Sequence, residues 1–170
     1  MYEIEIKAYC NDLSLIENEL ELEKALFVGE YKQHDIYYNH PLRDFKETDE
    51  AFRIRSVDGN QFVTYKGPKI SQTAKTRIEL ETSIGEFESF RSILLSLGFK
   101  EGGEVIKIRK EYILNNVTIC LDNVYGAGSF VEFEIMGSDI AKGEQALFEM
   151  AEHLGLRRFE RKSYLELVLG

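Results

Sequence analysis

The sequence predicts an α+β domain built on one large antiparallel sheet, with about eight strands, enough to close a barrel, and helices packed outside it. Three observations predict this. Short stretches of alternating apolar and polar residues recur from Tyr2 to Met136. Most of them are joined by turn signals rather than by connections of crossover length. Amphipathic helical stretches are interspersed among them. The 170 residues suit one domain, 1–170, with a core of its own, and show no repeat, low-complexity stretch or Pro/Ser-rich linker.

In chain order, Tyr2–Ala8 alternates strictly and reads as a strand. From Asp12 to about Val28, the residues Leu13, Ile16, Leu20 and Leu26 recur among acidic neighbours, the pattern of an amphipathic helix. A strand near Tyr31–Tyr38 leads into a polar loop, His40–Asp49. Strands Ala51–Val57 and Gln61–Lys66 are joined at Asp58-Gly59-Asn60, a hairpin signal. Lys69–Lys75 reads as a mobile loop and Thr76–Thr82 as a strand. Phe87, Phe90, Leu94 and Leu97 mark a helix closed by Gly98. Strands near Val105–Leu114, Val117–Val124 and Ser129–Met136 follow, turned at Asn115-Asn116 and Gly126-Ala127-Gly128. A last helix runs from about Ile140 to Leu154 and ends at Gly155, and the apolar tail Ser163–Leu169 fits a helix or a strand.

Composition excludes several function classes. With 44% hydrophobic and 30% charged residues the chain is neither disordered nor fibrous. A net charge of −9 argues against binding a nucleic-acid polymer through a basic face, so an anionic ligand must be held by local cation clusters. Cys10 and Cys120 match no metal spacing and read as reduced thiols. No stretch has the length or apolarity of a signal peptide or a membrane span, which leads to an expectation of a cytoplasmic protein. His34, His40 and His153 lack metal-site spacing and read as surface or packing residues.

The chemistry lies in the alternation. Residues two apart share one face of a strand. Glu3, Glu5 and Lys7 oppose Tyr2, Ile4 and Ile6, and Arg53 and Arg55 oppose Phe52 and Ile54. Thr64 and Lys66 oppose Val63 and Tyr65, while Arg77, Glu79 and Glu81 oppose Ile78 and Leu80. Lys107 and Arg109 oppose Ile106 and Ile108, Asp122 opposes Ile119 and Leu121, and Glu132 and Glu134 oppose Val131, Phe133 and Ile135. Any one such strand fits a solvated sheet face. Together they place a dense set of both charge signs on one face of the whole sheet. If the apolar face meets the helices, the charged face lines the lumen. Charges buried without partners are very costly, so that lumen should hold water, ions and a charged ligand. Clustered carboxylates suit hard divalent cations such as Mg²⁺ or Mn²⁺, and Lys and Arg clamp phosphate oxygens. A triphosphate with its metal satisfies both sets. Asp35, Tyr37 and Tyr38 fit either the lumen or strand packing.

Glu3-Ile-Glu5-Ile-Lys7 resembles the ExExK signature of the CYTH superfamily, the triphosphate tunnel metalloenzymes. Asp35-Ile-Tyr-Tyr38, Arg53-Ile-Arg55, Thr64-Tyr-Lys66-Gly67-Pro68, Arg77-Ile-Glu79-Leu-Glu81, Lys107-Ile-Arg109 and Glu132-Phe-Glu134 follow in that family's order. Val117–Asp122 and Gly126–Glu134 look most like its class IV adenylyl cyclase branch, with Ala127 a small departure between the glycines. The resemblance implies an eight-stranded tunnel, often a homodimer, that binds a triphosphate with divalent metal. It implies that Glu3, Glu5, Glu132 and Glu134, with Asp122, bind metal. It implies that Lys7, Arg53, Arg55, Lys66, Lys107 and Arg109 bind phosphate, and that Arg77, Glu79 and Glu81 partly organise the lumen. The activity it implies is cyclisation of ATP to cyclic AMP and pyrophosphate. Hydrolysis of tripolyphosphate, a nucleoside triphosphate or thiamine triphosphate by the same lumen is the alternative, and a non-catalytic module for phosphorylated ligands a further one.

Overall fold

The computed structural model describes residues 1–170. Nine strands form one antiparallel sheet: β1 (Tyr2–Tyr9), β2 (Leu26–Asn39), β3 (Ala51–Val57), β4 (Asn60–Lys66), β5 (Lys75–Arg77), β6 (Glu79–Ile84), β7 (Lys100–Leu114), β8 (Val117–Val124) and β9 (Gly128–Gly137). Four helices complete the chain: α1 (Leu13–Leu22), α2 (Phe87–Ser96), α3 (Ile140–His153) and α4 (Tyr164–Leu169). The sheet order is β5-β1-β9-β8-β7-β2-β3-β4-β6, so its two edges are strands adjacent in sequence.

That adjacency corrects the strand count from eight to nine. The stretch read as one strand, Thr76–Thr82, is divided at Ile78. Its first part pairs with β1, with Arg77 opposite Glu3, and its second with β4, with Glu79 opposite Lys66. The Ile78 carbonyl meanwhile accepts from the Gly67 amide at 2.9 Å. One short segment thus ties both sheet edges and nearly closes the barrel, which removes the exposed edges an open sheet would present.

Two boundaries also move. α1 ends at Leu22 rather than near Val28, and β2 begins at Leu26. Leu26 and Phe27 lie opposite Ile113 and Tyr112 of β7, a pairing that overrides the helical spacing of Leu26. Lys75, expected in a loop, is a strand residue opposite Glu5. The tail is helical, set by a capping box in which the Ser163 and Glu166 side chains satisfy each other's backbone amides.

The outer face of β1, β8 and β9 packs under α1 and α3, with Ile4, Ile6, Ile119, Val131, Phe133 and Leu147 nearly fully buried. α2 covers Ile54 and Tyr38 through Leu94. Ile78 and Leu80, expected to meet a helix, instead stay exposed at 52% and 63%, because no helix covers that seam. At one end of the lumen the alternation turns apolar, and Val105, Val124 and Phe130 pack against Tyr164 of α4.

Candidate functional site

A cavity of about 1140 Å³ occupies the barrel. Of the residues picked from the sequence, Glu3, Glu5, Arg53, Arg55, Lys66, Arg77, Glu79, Glu81, Lys107, Arg109, Glu132 and Glu134 line it. Lys7, Asp35 and Asp122 do not; they stand in the wall behind these residues, each at most 1% exposed.

The carboxylates divide into groups. Glu5 on β1 lies opposite Glu134 on β9, and with Glu132 the three carboxylates place ligand atoms within 4.8 Å of one another. Lys75 braces Glu5 at 2.9 Å, and Arg109 bonds Glu132 and stands 3.9 Å from Glu134. Burial pushes the Glu134 carboxyl up to about 7, with Glu5 and Glu132 adding to the effect against Arg109. Glu132 is held well below the usual range, because Arg109, Lys107, Lys75 and Lys7 outweigh its burial. Three oxygen donors of this kind, one of them short of positive charge, fit a hard divalent cation. Glu3 stands beside the trio but outside it, 3.3 Å from Lys66, and burial, aided by Glu134 and Glu79, pushes it up to about 8 against that lysine.

Asp122 also stands outside the carboxylate trio. It is fully buried and accepts from Arg109 Nε at 2.7 Å, from Arg109 Nη2 at 2.6 Å and from the Tyr164 hydroxyl at 2.7 Å. Its place beside Arg109 follows from the β7–β8 register, which sets the two opposite each other. Asp122 is therefore the buried counter-ion of Arg109.

The cations form the rest of the wall. Arg55 grips Asp35 with two bonds of 2.7 and 2.8 Å, and Arg53 reaches the same carboxylate at 3.4 Å. Burial alone would raise Asp35; the two guanidiniums overcome it and hold the carboxyl below its usual range. Lys66 pairs with Glu79, which also lies 3.9 Å from Arg53, and Arg77 donates to the Gly67 carbonyl at 3.3 Å. Glu81, at the exposed margin, accepts from Thr64 at 2.8 Å. Burial and the neighbouring Arg109 push Lys107 down to about 8. Burial and Lys75 likewise push Lys7 down to about 7; its ammonium donates to the Lys162 carbonyl and lies 4.2 Å from the Tyr164 ring centroid.

Three residues of this site escaped sequence reasoning. Lys75 continues the two-residue alternation of Arg77 and Glu79, a visible signal masked by the small polar residues before it. Gln33 lines the cavity two residues before Asp35 in β2. Tyr164 comes from a six-residue helix far along the chain and carried no signal at all.

Known proteins share this architecture. Residues 1–165 match the CYTH domain. A Methanocaldococcus jannaschii protein named "Putative adenylate cyclase" is 44% identical over 98% of both chains. The Aeromonas hydrophila adenylate cyclase CyaB is 25% identical over 98% of this chain and 88% of its own. The solved structure of the PH1819 protein from Pyrococcus horikoshii superimposes with a TM-score of 0.91 at 41% identity, covering 98% of each chain. HpAC1 from Hippeastrum, described as having a dominant triphosphatase activity, shares the fold at a TM-score of 0.70 and 17% identity, over 99% of this chain and 94% of its own. With a signature spanning nearly its whole length and a charged tunnel to match, this chain belongs to the CYTH domain family.

Proposed function

We propose that the protein is a divalent-metal-dependent enzyme that converts ATP to cyclic AMP and pyrophosphate in the barrel lumen. The observation that carries this reading is the meeting, in one cavity, of the Glu5, Glu132 and Glu134 carboxylates with a wall of Arg and Lys. A bare metal would engage only the carboxylates, and a bare phosphate chain only the cations. A metal–triphosphate complex matches both. The names of the relatives at 44% and 25% identity favour ATP as the triphosphate.

In this reaction the ribose 3′ oxygen bonds to the α-phosphorus as the bond to the α,β-bridging oxygen breaks. The 3′ proton is released, and pyrophosphate leaves with the bridging oxygen. Arg53, Arg55, Lys66, Arg77, Lys107 and Arg109 would bind the phosphate chain and balance the charge that grows on the leaving pyrophosphate. Asp35 and Asp122 would hold those guanidiniums in place, and Lys7 would fix the wall behind them. Glu5, Glu132 and Glu134 would hold Mg²⁺ or Mn²⁺, with Glu3 nearby, and the bound ion would supply Lewis acidity toward phosphate and hydroxyl oxygens. Catalysis is then positioning and electrostatics, with no covalent enzyme intermediate.

A second reading keeps the lumen and replaces the ribose hydroxyl by water, giving triphosphate hydrolysis; the activity described for HpAC1 favours keeping it in view. The test is incubation with Mg²⁺ or Mn²⁺ and, separately, ATP, tripolyphosphate and thiamine triphosphate, with products resolved by chromatography. Cyclic AMP with pyrophosphate supports the cyclase. Orthophosphate without cyclic AMP moves the reaction to hydrolysis. No metal-dependent turnover of any triphosphate, with tight binding that survives chelation, would reduce the protein to a binding module.

A further inference from the structure

Gln33 of β2 carries an amide oxygen that nothing in the fold satisfies. The residue lines the cavity on the same strand face as Asp35 and lies opposite Lys107 of β7. Only 7% of it is exposed, and its Oε1 is buried with no hydrogen-bond partner. Buried polar atoms are nearly always bonded, so an orphan acceptor on a residue that lines a cavity calls for a donor. The neighbours that could supply one are engaged elsewhere. The Tyr31 hydroxyl, two residues back, lies against Gly29, where an added Cβ would strike it. The Lys107 ammonium lies 4.8 Å from the Tyr164 ring centroid. Arg55 directs two bonds at Asp35, and Val57, opposite Gln33 on β3, has no donor in its side chain. The donor then comes from the occupant of the cavity. The last torsion of a glutamine is broad, so the oxygen can turn toward the cavity without moving the strand.

The chemistry of that donor is narrow. Ionised phosphates only accept hydrogen bonds, so a phosphate chain cannot satisfy Oε1. The group beside the phosphates that does donate is the attacking one, a ribose hydroxyl or a water. An amide suits it better than a carboxylate, because it presents an acceptor beside Lys107 without setting a negative charge in the path of the phosphates. We infer that Gln33 is a catalytic residue that accepts a hydrogen bond from the attacking O–H and aims its oxygen at phosphorus, the role a glutamine plays toward water in some phosphoryl-transfer enzymes. The inference rests on the triphosphate reading of the lumen and adds to it the placement of the nucleophile. Gln33 takes no proton. The O–H proton is released to solvent as the oxygen bonds to phosphorus, and the bridging oxygen leaves with its electron pair.

Steady-state kinetics with Mn²⁺ test this on two variants. Gln33→Met keeps the length and removes the amide; Gln33→Asn keeps the amide and withdraws it by one methylene. ATP and tripolyphosphate are run separately, with cyclic AMP and orthophosphate resolved, and the arm in which kcat falls tells whether the oriented O–H belongs to ribose or to water. The expected result is a kcat lower by about a hundredfold in both variants with KM unchanged, the scale of a misplaced nucleophile. Melting of the ligand-free protein supplies a readout that a structural role would move. Deleting an unpartnered buried oxygen should leave the Tm of Gln33→Met unchanged or raise it. A Tm lowered together with kcat, an unchanged kcat in a folded variant, or a loss confined to KM overturns the inference and leaves the lumen reading intact. Wild type that turns over neither substrate overturns both.

Discussion

Asp122 separates two roles that a buried carboxylate beside a candidate metal site can play. If it orients Arg109, its loss damages the ligand-free fold; if it ligates metal, its loss damages metal binding and spares the fold. The Asp122→Asn variant keeps the size and removes the charge. In the structure Asp122 accepts two bonds from Arg109 and one from Tyr164 with no solvent exposure, so Asn would turn a donor toward donors. Removing one partner of a buried ion pair costs about 3–5 kcal/mol. Arg109 keeps Glu132, so the lower end applies, about 3 kcal/mol. For a chain of this size that lowers Tm by roughly 6–12 °C. The assay is thermal unfolding of the metal-free protein, with Mn²⁺ affinity measured in parallel. A loss under about 1 kcal/mol, the scale of one ordinary hydrogen bond, together with a collapse of Mn²⁺ affinity, would refute the anchoring role and make Asp122 a ligand.

Other perturbations follow from the same wall. Tyr164→Phe removes one bond to Asp122 but keeps the ring against Lys7 and Lys107; it should cost about 1 kcal/mol by denaturant unfolding, and a neutral result would show that water replaces the hydroxyl. Lys107→Met should lower kcat by about a hundredfold with ATP, as removal of one charge-stabilising donor does, and an unchanged kcat would remove Lys107 from the reaction. The Glu3 and Glu134 carboxyls, raised from 4.5 to about 8 and about 7, hold protons in the folded protein that the unfolded chain releases above 4.5. Their stabilising effect is full below pH 4.5 and is lost as pH rises toward 7–8, so Mn²⁺ binding at pH 6.5 should release protons. Calorimetry in two buffers of different ionisation enthalpy reads this; no proton release, or the same release from Glu134→Gln, would contradict it.

How much was legible in the sequence depends on the range of the interaction that decides each feature. The charged face of the sheet was readable because alternation is local: Glu3-Ile-Glu5-Ile-Lys7 fixes which side chains share a face wherever the strand goes. The split at Ile78 was not readable, because it is imposed by closure of the barrel, which draws Arg77 to Glu3 and Glu79 to Lys66 from opposite sheet edges. The end of α1 was misread for a related reason. Leu26 keeps helical spacing, and only its β7 partner Ile113, distant in sequence, turns it into a strand. Within the site, strand parity placed Glu5, Glu132 and Glu134 correctly on one surface. It did not separate them from Asp122, whose surroundings are set by the guanidinium opposite and by a tyrosine from the last helix.

The charges in the lumen favour the proposed ligand of mixed sign. The protein as a whole is acidic, at −9, yet inside the barrel both signs are crowded. Glu3 and Glu134 retain protons because burial and neighbouring carboxylates outweigh the cations near them, so that corner lacks positive charge. Burial and the cations Lys75 and Arg109 push Lys7 and Lys107 down, although Glu132 stands among them, so positive charge is crowded there. The two imbalances coexist because the strands fix each group in place: the Arg109–Asp122 and Arg55–Asp35 pairs already hold the cations and carboxylates that might otherwise move together. A divalent cation bound to a chain of phosphates complements both, with its positive end at the carboxylate trio and its negative length along the lysines and arginines.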